Sequence, residues 1–408
     1  MGRWTPNFAR LNSRRFGSLA IPILAVLSAF IVGSLFLIVT DIPALQLLFS
    51  GQPINFLTTA LGNVVHAYTA LLTGAFGDPA RFVEALQEGT PEAWATAFRP
   101  LSETLVAATP LIFTGLAIAV SFRSGVFNIG GDGQFVLGAL GATAVALLFR
   151  DFPAPVTLIA SLLAGIVFGM AWGFIPGFLK ARTGAHEVIT TIMLNYVALQ
   201  IVQLALRTDF MRPATGTEPI SKVIDFVRVP QLIPLPGLRL HWGFIVALIV
   251  AAGVSYFLFR TTKGFELRSS GLNLTAARYA GMSAGGSIIL AMVVSGALCG
   301  LAGAFQVLGT VKQMSNDVDS GYGWTAIALA LLGGTRPGGV IAAALLFGAL
   351  NNGGHEMQIE TGIPLDLLTF IQALVILFVA APELVRKIYR LKARSVDSGV
   401  ALEEGAAA

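Results

Sequence analysis

Few side chains in this 408-residue sequence could do chemistry, and they cluster. Asn128, Asp132 and Gln134, with Gly130 between them, fall within the glycine-rich run Ser124–Gly141 (SGVFNIGGDGQFVLGALG). Glu187, Thr191 and Asn195 fall within Ala185–Gln200 (AHEVITTIMLNYVALQ). Thr191 and Asn195, four residues apart, share a face if the segment is helical. A second glycine-rich run, Ser320–Gly339, opens with Tyr322 and Trp324, and Gln306 is a lone amide in an apolar stretch. Amide, hydroxyl and carboxyl groups of this kind hold polar solutes or neighbouring helices. They do not make a nucleophile: no Ser-His-Asp arrangement is present, so no catalytic residue is expected. His186 and Glu187 have no third His, Cys or acidic neighbour, so no metal site is expected. The chain contains no G-x-x-x-x-G-K-[ST], the loop that cradles ATP phosphates, and so cannot bind ATP in that way by itself.

Each polar stretch admits two readings. An ionisable residue at bilayer depth costs a few kcal/mol, and irregular backbone is tolerated there only when it lines a cavity or is covered by protein. Asn128–Gln134 is therefore either a broken helix lining a translocation path or a capped helix start at the cytoplasmic interface. In the second case Asp132 sits in the first turn, where it complements the helix dipole. Thr191, Asn195 and Gln306 either line the path or make inter-helix hydrogen bonds worth about 0.6 kcal/mol each.

The elements that must position these residues are set by composition. The chain is 55% hydrophobic and only 12% charged, with mean hydropathy +0.76. Soluble domains average about 25% charged. Apolar runs near 20 residues recur, each long enough for a ~30 Å hydrocarbon core. The ten-residue alternation of a β-barrel is absent. The expected fold is all-α and polytopic, with about ten transmembrane helices, near 18–40, 101–121, 125–149, 155–179, 186–206, 242–259, 285–310, 322–334, 338–352 and 364–381. The sequence pI of 9.4 reflects loop charge rather than nucleic-acid binding. The single Cys299 lies in an apolar run and reads as a packing residue.

Most of the 26 Lys and Arg residues fall in alternate loops and in the two ends. The positive-inside rule then puts both termini in the cytoplasm. Residues 1–40 form a basic start and a retained first helix, and 41–100 an external segment with a surface amphipathic helix around Asn63–Gly77. Residues 101–381 form the membrane core, and 382–408 a cytoplasmic tail. An inverted repeat of spans 2–5 and 7–10 is expected, which makes the two glycine-rich runs counterparts. Gly165, Gly169, Gly173 and Gly177, and Gly296 with Gly300, are small-residue faces on which helix backbones can touch.

One cytoplasmic stretch is distinctive. Residues 260–283 (RTTKGFELRSSGLNLTAARYAGMS) are too polar for lipid and too short for a domain. Helix formers at Thr275–Tyr279 follow a Gly-Leu-Asn turn, giving a short helix held outside the bilayer by its flanking spans. Its position suits contact with another protein.

In combination, TPLIFTGLAIAVSFRSGVFNIGGDGQFVLGALGA, GAHEVITTIMLNYVALQ, RTTKGFELRSSGLNLTAARYAGM, SGALCGLAGAFQVLG and GYGWTAIALALLGGTRPGGVIAAALLFGAL resemble the permease subunits of bacterial ABC importers of the nucleoside and simple-sugar class. That class lies within the branched-chain amino acid and ribose permease superfamily. The family usually has Glu where Asp132 stands and Asn where His186 stands; both changes keep polarity. The resemblance implies an importer that moves a small polar solute, nucleosides above all, across the bacterial inner membrane by alternating access. It implies a second homologous permease, a cytoplasmic tandem ATPase carrying ATP and Mg, and an external substrate-binding lipoprotein. It makes residues 260–283 the coupling stretch, with Glu266, Arg268, Gly271, Leu272, Asn273, Ala276, Ala277, Arg278 and Tyr279 facing the ATPase. A simple-sugar permease is the alternative within the family. From a different class, an ion-coupled transporter would need Asp132 or Glu187 as its ion carrier.

Overall fold

The computed structural model describes residues 8–213 and 218–389, and side chains from Ile23 onward apart from those of Ala380 and Pro382. The described residues are helical almost throughout and form no strand; Gln231 and His241 make one isolated bridge. The helices are α1 (Phe8–Thr40), α2 (Ile42–Phe49), α3 (Pro53–Phe76), α4 (Pro79–Glu88), α5 (Pro91–Arg123), α6 (Gly131–Leu148), α7 (Ala154–Thr183) and α8 (Glu187–Leu206). They continue as α9 (Gly243–Arg260), α10 (Thr262–Leu272), α11 (Leu274–Tyr279), α12 (Ala284–Phe305), α13 (Tyr322–Leu332), α14 (Pro337–Thr361), α15 (Leu365–Ala380) and α16 (Pro382–Ile388). A π-helical turn, Gln306–Val311, extends α12.

Seven described helices are long and apolar enough to cross a membrane: α1, α5, α6, α7, α8, α9 and α12 with its π turn. Helices also occur at the three remaining expected spans. Of these, α13 and α15 are short and apolar, and α14 carries Asn351, Asn352, His355, Glu356 and Glu360. The third span differs from expectation in its start. Helix begins at Gly131 rather than near 125, because Ser124–Gly130 is non-helical.

The chain divides into two compact units. One comprises the two chain ends, up to Phe36 and from Phe370. There Ser28 Oγ lies 3.1 Å from Tyr389 Oη, and the Phe36 and Phe370 rings are 4.7 Å apart. The other unit, Leu37–Thr369, holds every residue singled out above except those in the tail. Within it α5, α6 and α12 are largely buried, while α7, α8 and α9 bury only one face. The glycines of α7 meet those of α12: a side chain at Gly169 would strike the Gly296 carbonyl, and one at Gly300 the Gly165 carbonyl. Helix α12 thus holds α6 and α7, and α5 holds α13 and α14.

Helix α3 starts at Pro53, ten residues before the predicted amphipathic segment. Its stripe of Ala60, Ala67, Ala70, Leu71 and Gly74 is buried, and it packs along α14, where Gly353 admits the Leu71 carbonyl. Asn352 Nδ2 ties the cluster, donating to the Gly74 and Pro100 carbonyls at 2.7 and 2.9 Å.

Candidate translocation site

Two helix starts meet inside the larger unit. Helix α5 ends at Arg123, and Gly125 turns the chain with φ of +71°. Val126–Ile129 then runs without helical hydrogen bonds to the start of α6. Arg123 Nε donates to the Thr335 carbonyl at 3.1 Å, and Nη2 to the Gly334 carbonyl at 3.2 Å. These contacts place the end of α5 beside the C-terminal end of α13. Asp132, in the first turn of α6, lies at the other end of α13: its Oδ1 accepts from Gly323 N at 2.9 Å. Eleven helical residues separate those ends, about 16 Å at 1.5 Å per residue. The seven residues Ser124–Gly130 can span that distance when extended. The capped start with Asp132 is therefore present, but it lies the length of α13 from the end of α5. Ser124–Gly130 is a non-helical break between the two helices.

The polar groups of the break satisfy one another. Asn128 Nδ2 donates to Gln134 Oε1 at 3.1 Å and to Ser295 Oγ of α12 at 2.8 Å. Asn128 Oδ1 accepts from Gly130 N at 2.9 Å. From α8, Thr191 Oγ1 accepts from Ile129 N at 3.3 Å. Asn195 holds both sides of the bend: Nδ2 donates to the Ile129 carbonyl and Oδ1 accepts from Gly133 N, each at 2.9 Å. All of these side chains are buried, as an apolar bundle requires of polar groups it encloses. Glu187 fixes the foot of the break, accepting from the Phe127 backbone and pairing with Lys180. Its carboxylate is thereby engaged.

The Asp132 carboxyl accepts from the Gly323 and Trp324 backbone N–H groups at the start of α13, and it hydrogen-bonds to the Asp319 side chain. Burial, with Asp317 nearby, holds the Asp319 carboxyl above the usual carboxylate range. Gln306, in the π turn, is hydrogen-bonded to Tyr322, whose ring lies 5.8 Å from that of Phe135. Trp324 is half exposed.

The stretch at 260–283 forms α10 and α11. Asn273 Oδ1 accepts from Ala276 N at 3.0 Å and so starts α11, as its place after Gly-Leu favours. Ala277 is the buried residue of α11, while Leu272 and Tyr279 are 90% and 91% exposed. Glu266 pairs with Lys263 at 2.9 Å, and the Arg268 guanidinium lies over the Phe259 ring at 5.2 Å. Gly271 packs against the backbone of Arg123 and Gly125.

The family described as "Branched-chain amino acid transport system / permease component" matches residues 101–380. The chain belongs to this family. This permease is 36% identical over 375 residues to the guanosine ABC transporter permease protein NupP of Bacillus subtilis, covering 91% of this chain and 96% of that protein. It is 36% identical over 313 residues to the nucleoside ABC transporter permease protein NupB of Lactococcus lactis, covering 75% and 85%. It is 35% identical over 300 residues to the glucose ABC transporter permease protein TsgB13 of Haloferax volcanii, covering 71% and 78%. Bacillus subtilis and Lactococcus lactis each hold a second, more distant relative, at 28% and 27% identity. No solved structure matches the chain.

The permease is a multi-pass membrane protein, and its sequence-predicted polar residues fall in three groups. Asn128, Gly130, Gln134, Thr191 and Asn195 converge on the break, with Glu187 at its foot. Asp132, Gln306 and Tyr322 gather near the start of α13. Arg278 and the other residues of α10 and α11 lie apart, save Gly271, which packs on the backbone of Arg123 and Gly125. Sequence reasoning missed Ser295 and Asp319. Ser295 sits in an apolar run beside Gly296, and Asp319 in the short connection before α13. It also missed Arg123 as the tie between α5 and α13, although an Arg directly before a glycine-rich break was a usable signal.

Proposed function

We propose that this permease carries nucleosides into a bacterial cell across the inner membrane, as one of two homologous permease subunits. A separate tandem ATPase, holding ATP and Mg, drives the cycle, and an external binding lipoprotein delivers the solute. The observation that carries the reading is the helix break at Asn128–Gln134, held by α8 and α12 and facing the start of α13. In transporters with inverted repeats, paired short or broken spans mark the site where access alternates. The names of the relatives support nucleosides as the solute. The paired relatives in two organisms support a second permease subunit. The exposed Leu272 and Tyr279 are the apolar contacts offered to the ATPase.

The glucose-permease relative favours a second reading, in which the solute is a simple sugar. Uptake of radiolabelled guanosine, uridine and ribose by the assembled complex separates the two. Saturable, ATP-dependent uptake of the nucleosides without ribose is expected; ribose uptake alone would replace the reading. In the same complex, exchanging Gly271–Arg278 for a Gly/Ser linker is expected to abolish uptake and substrate-stimulated ATP hydrolysis. If both persist, these residues do not couple the subunits.

A further inference from the structure

The groups at the break are closed to a passing solute. Asn128, Gln134 and Asn195 are buried and spend their hydrogen bonds on one another, on Ser295 and on the backbone. The opposite face of α8 is different. Helix α8 packs on α6 and α7 through Thr191, Asn195, Ala198 and Val202, which are buried. The other side exposes Ile189, Met193, Tyr196, Gln200 and Leu204. Tyr196 is 62% exposed and is the tenth of the twenty residues of α8, the middle of a span-length helix. Gln200 follows one turn later on the same side, about 6 Å along the axis.

Lipid does not suit that face. A primary amide placed in hydrocarbon without partners costs several kcal/mol. The neighbouring α7, by contrast, exposes Val156, Ile159, Leu163 and Val167, all apolar. An exposed phenol half-way along α8 and an exposed amide one turn further on therefore call for water, a solute or a polar partner.

We propose that this side of α8 is a wall of the aqueous path that the permease shares with the second permease subunit, and that Tyr196 and Gln200 contact the nucleobase there. The Tyr196 ring offers a stacking face to a purine or pyrimidine. The Gln200 amide offers both a donor and an acceptor to the base edge, which carries both kinds of group. Asn195, on the inner face of the same helix, holds Ile129 and Gly133, so a solute pressing on α8 acts on the break through one rigid element. The inference rests on the nucleoside reading given above.

The test uses the complete complex in proteoliposomes, with guanosine and uridine at saturating binding protein. Aromatic stacking on a base is worth roughly a ten-fold effect or more when removed. Tyr196→Phe is expected to keep guanosine turnover near that of the unaltered complex, and Tyr196→Leu to lower it about ten-fold. Gln200→Ala is expected to change the ratio of guanosine to uridine turnover. A second readout does not depend on turnover. Tyr196→Cys and Gln200→Cys are expected to react with a water-soluble thiol reagent at least ten-fold faster than Leu163→Cys on α7, and guanosine should slow that reaction. The native Cys299 is fully buried and contributes no background. Labelling no faster than at Leu163 overturns the aqueous wall. Fast labelling that guanosine does not slow, with equal turnover in the Phe and Leu variants, overturns the contact with the base. If the unaltered complex carries ribose and no nucleoside, the nucleoside reading fails instead.

Discussion

A single methyl group at Gly323 tests the junction of the two helix starts. A Cβ built there would lie 2.3 Å from both the backbone N and Oδ1 of Asp132, whereas ordinary contact begins at 3.4 Å. In Gly323→Ala the start of α13 must then move about 1 Å away from α6, because a backbone atom cannot rotate aside as a side chain can. That shift opens the 2.9 Å bond from Gly323 N to the Asp132 carboxylate. Overpacking costs about 1–3 kcal/mol, and loss of a buried hydrogen bond about 0.5–1.5 kcal/mol. The sum, roughly 2–4 kcal/mol, is a large share of the 5–15 kcal/mol typical of a folded domain. The expected outcome is a lower melting temperature in detergent and little or no uptake. Gly253→Ala in α9 is the matched control. Nothing lies within 4 Å of its Cβ position and its φ is not positive, so it is expected to be neutral or stabilising by up to ~1 kcal/mol. Unaltered melting and uptake in Gly323→Ala, or equal damage from both substitutions, would refute the argument.

Other residues give independent checks. Asn195→Ala removes both bonds that hold the bend and orphans the Gly133 N–H, a loss of roughly 2–4 kcal/mol that should appear as faster amide exchange at Gly133. His241 is buried against Phe305, accepts from Gly243 N at Nδ1, and has its pKa pushed down to about 4 by burial. The unfolded chain, with a pKa near 6.5, takes up that proton first. The neutral ring therefore contributes fully above about pH 6.5, and its contribution is lost as pH falls toward 4. The loss reaches roughly 3 kcal/mol. Melting temperatures between pH 7 and 4 should fall more steeply in the unaltered protein than in His241→Asn. Leu272→Ser with Tyr279→Ser should leave melting within about 0.5 kcal/mol of the original, since both side chains are exposed, while ATPase stimulation is lost; retained stimulation would remove them from the subunit contact.

Much of the helical framework was legible because each helix carries its own signal. Runs near 20 apolar residues located the long spans, and Gly-Leu-Asn before Thr275 located α11. The four-residue glycine spacing in α7 showed which face would meet a neighbour, and that neighbour is the Gly296–Gly300 face of α12. What was not legible depends on distant pairs. Hydropathy sees Asn128 as a cost at its own position; it cannot see Ser295, 167 residues away, which accepts from it. Nor can it see that Asp132 bonds to Asp319. The length of α3 escaped for a related reason. Its threonines and asparagines lower its hydropathy, while its alanines and Gly74 define the face that packs on α14. Tyr196 and Gln200 drew no prediction as a pair because periodicity gives two faces to a helix without saying which one the bundle covers.

The stretch at 260–283 and the helix break are joined at one point. Gly271, near the end of α10, packs on the backbone of Arg123 and Gly125, and a side chain there would strike the Arg123 carbonyl. Arg123 also grips the end of α13 through Gly334 and Thr335. On the proposed reading, a partner that moves α10 and α11 therefore pushes at once on the foot of the break and on the far end of the helix that the top of the break contacts. Six neutral hydrogen bonds hold the break to itself and its neighbours: Asn128 to Gln134, Ser295 and Gly130, Asn195 to Ile129 and Gly133, and Thr191 to Ile129. At about 1 kcal/mol net each, they sum to about 6 kcal/mol. Moving a two-state element from 1:99 to 99:1 takes about 5.5 kcal/mol. The two magnitudes are of the same order. A break held by more such bonds would resist its partner, and one held by fewer would open without it.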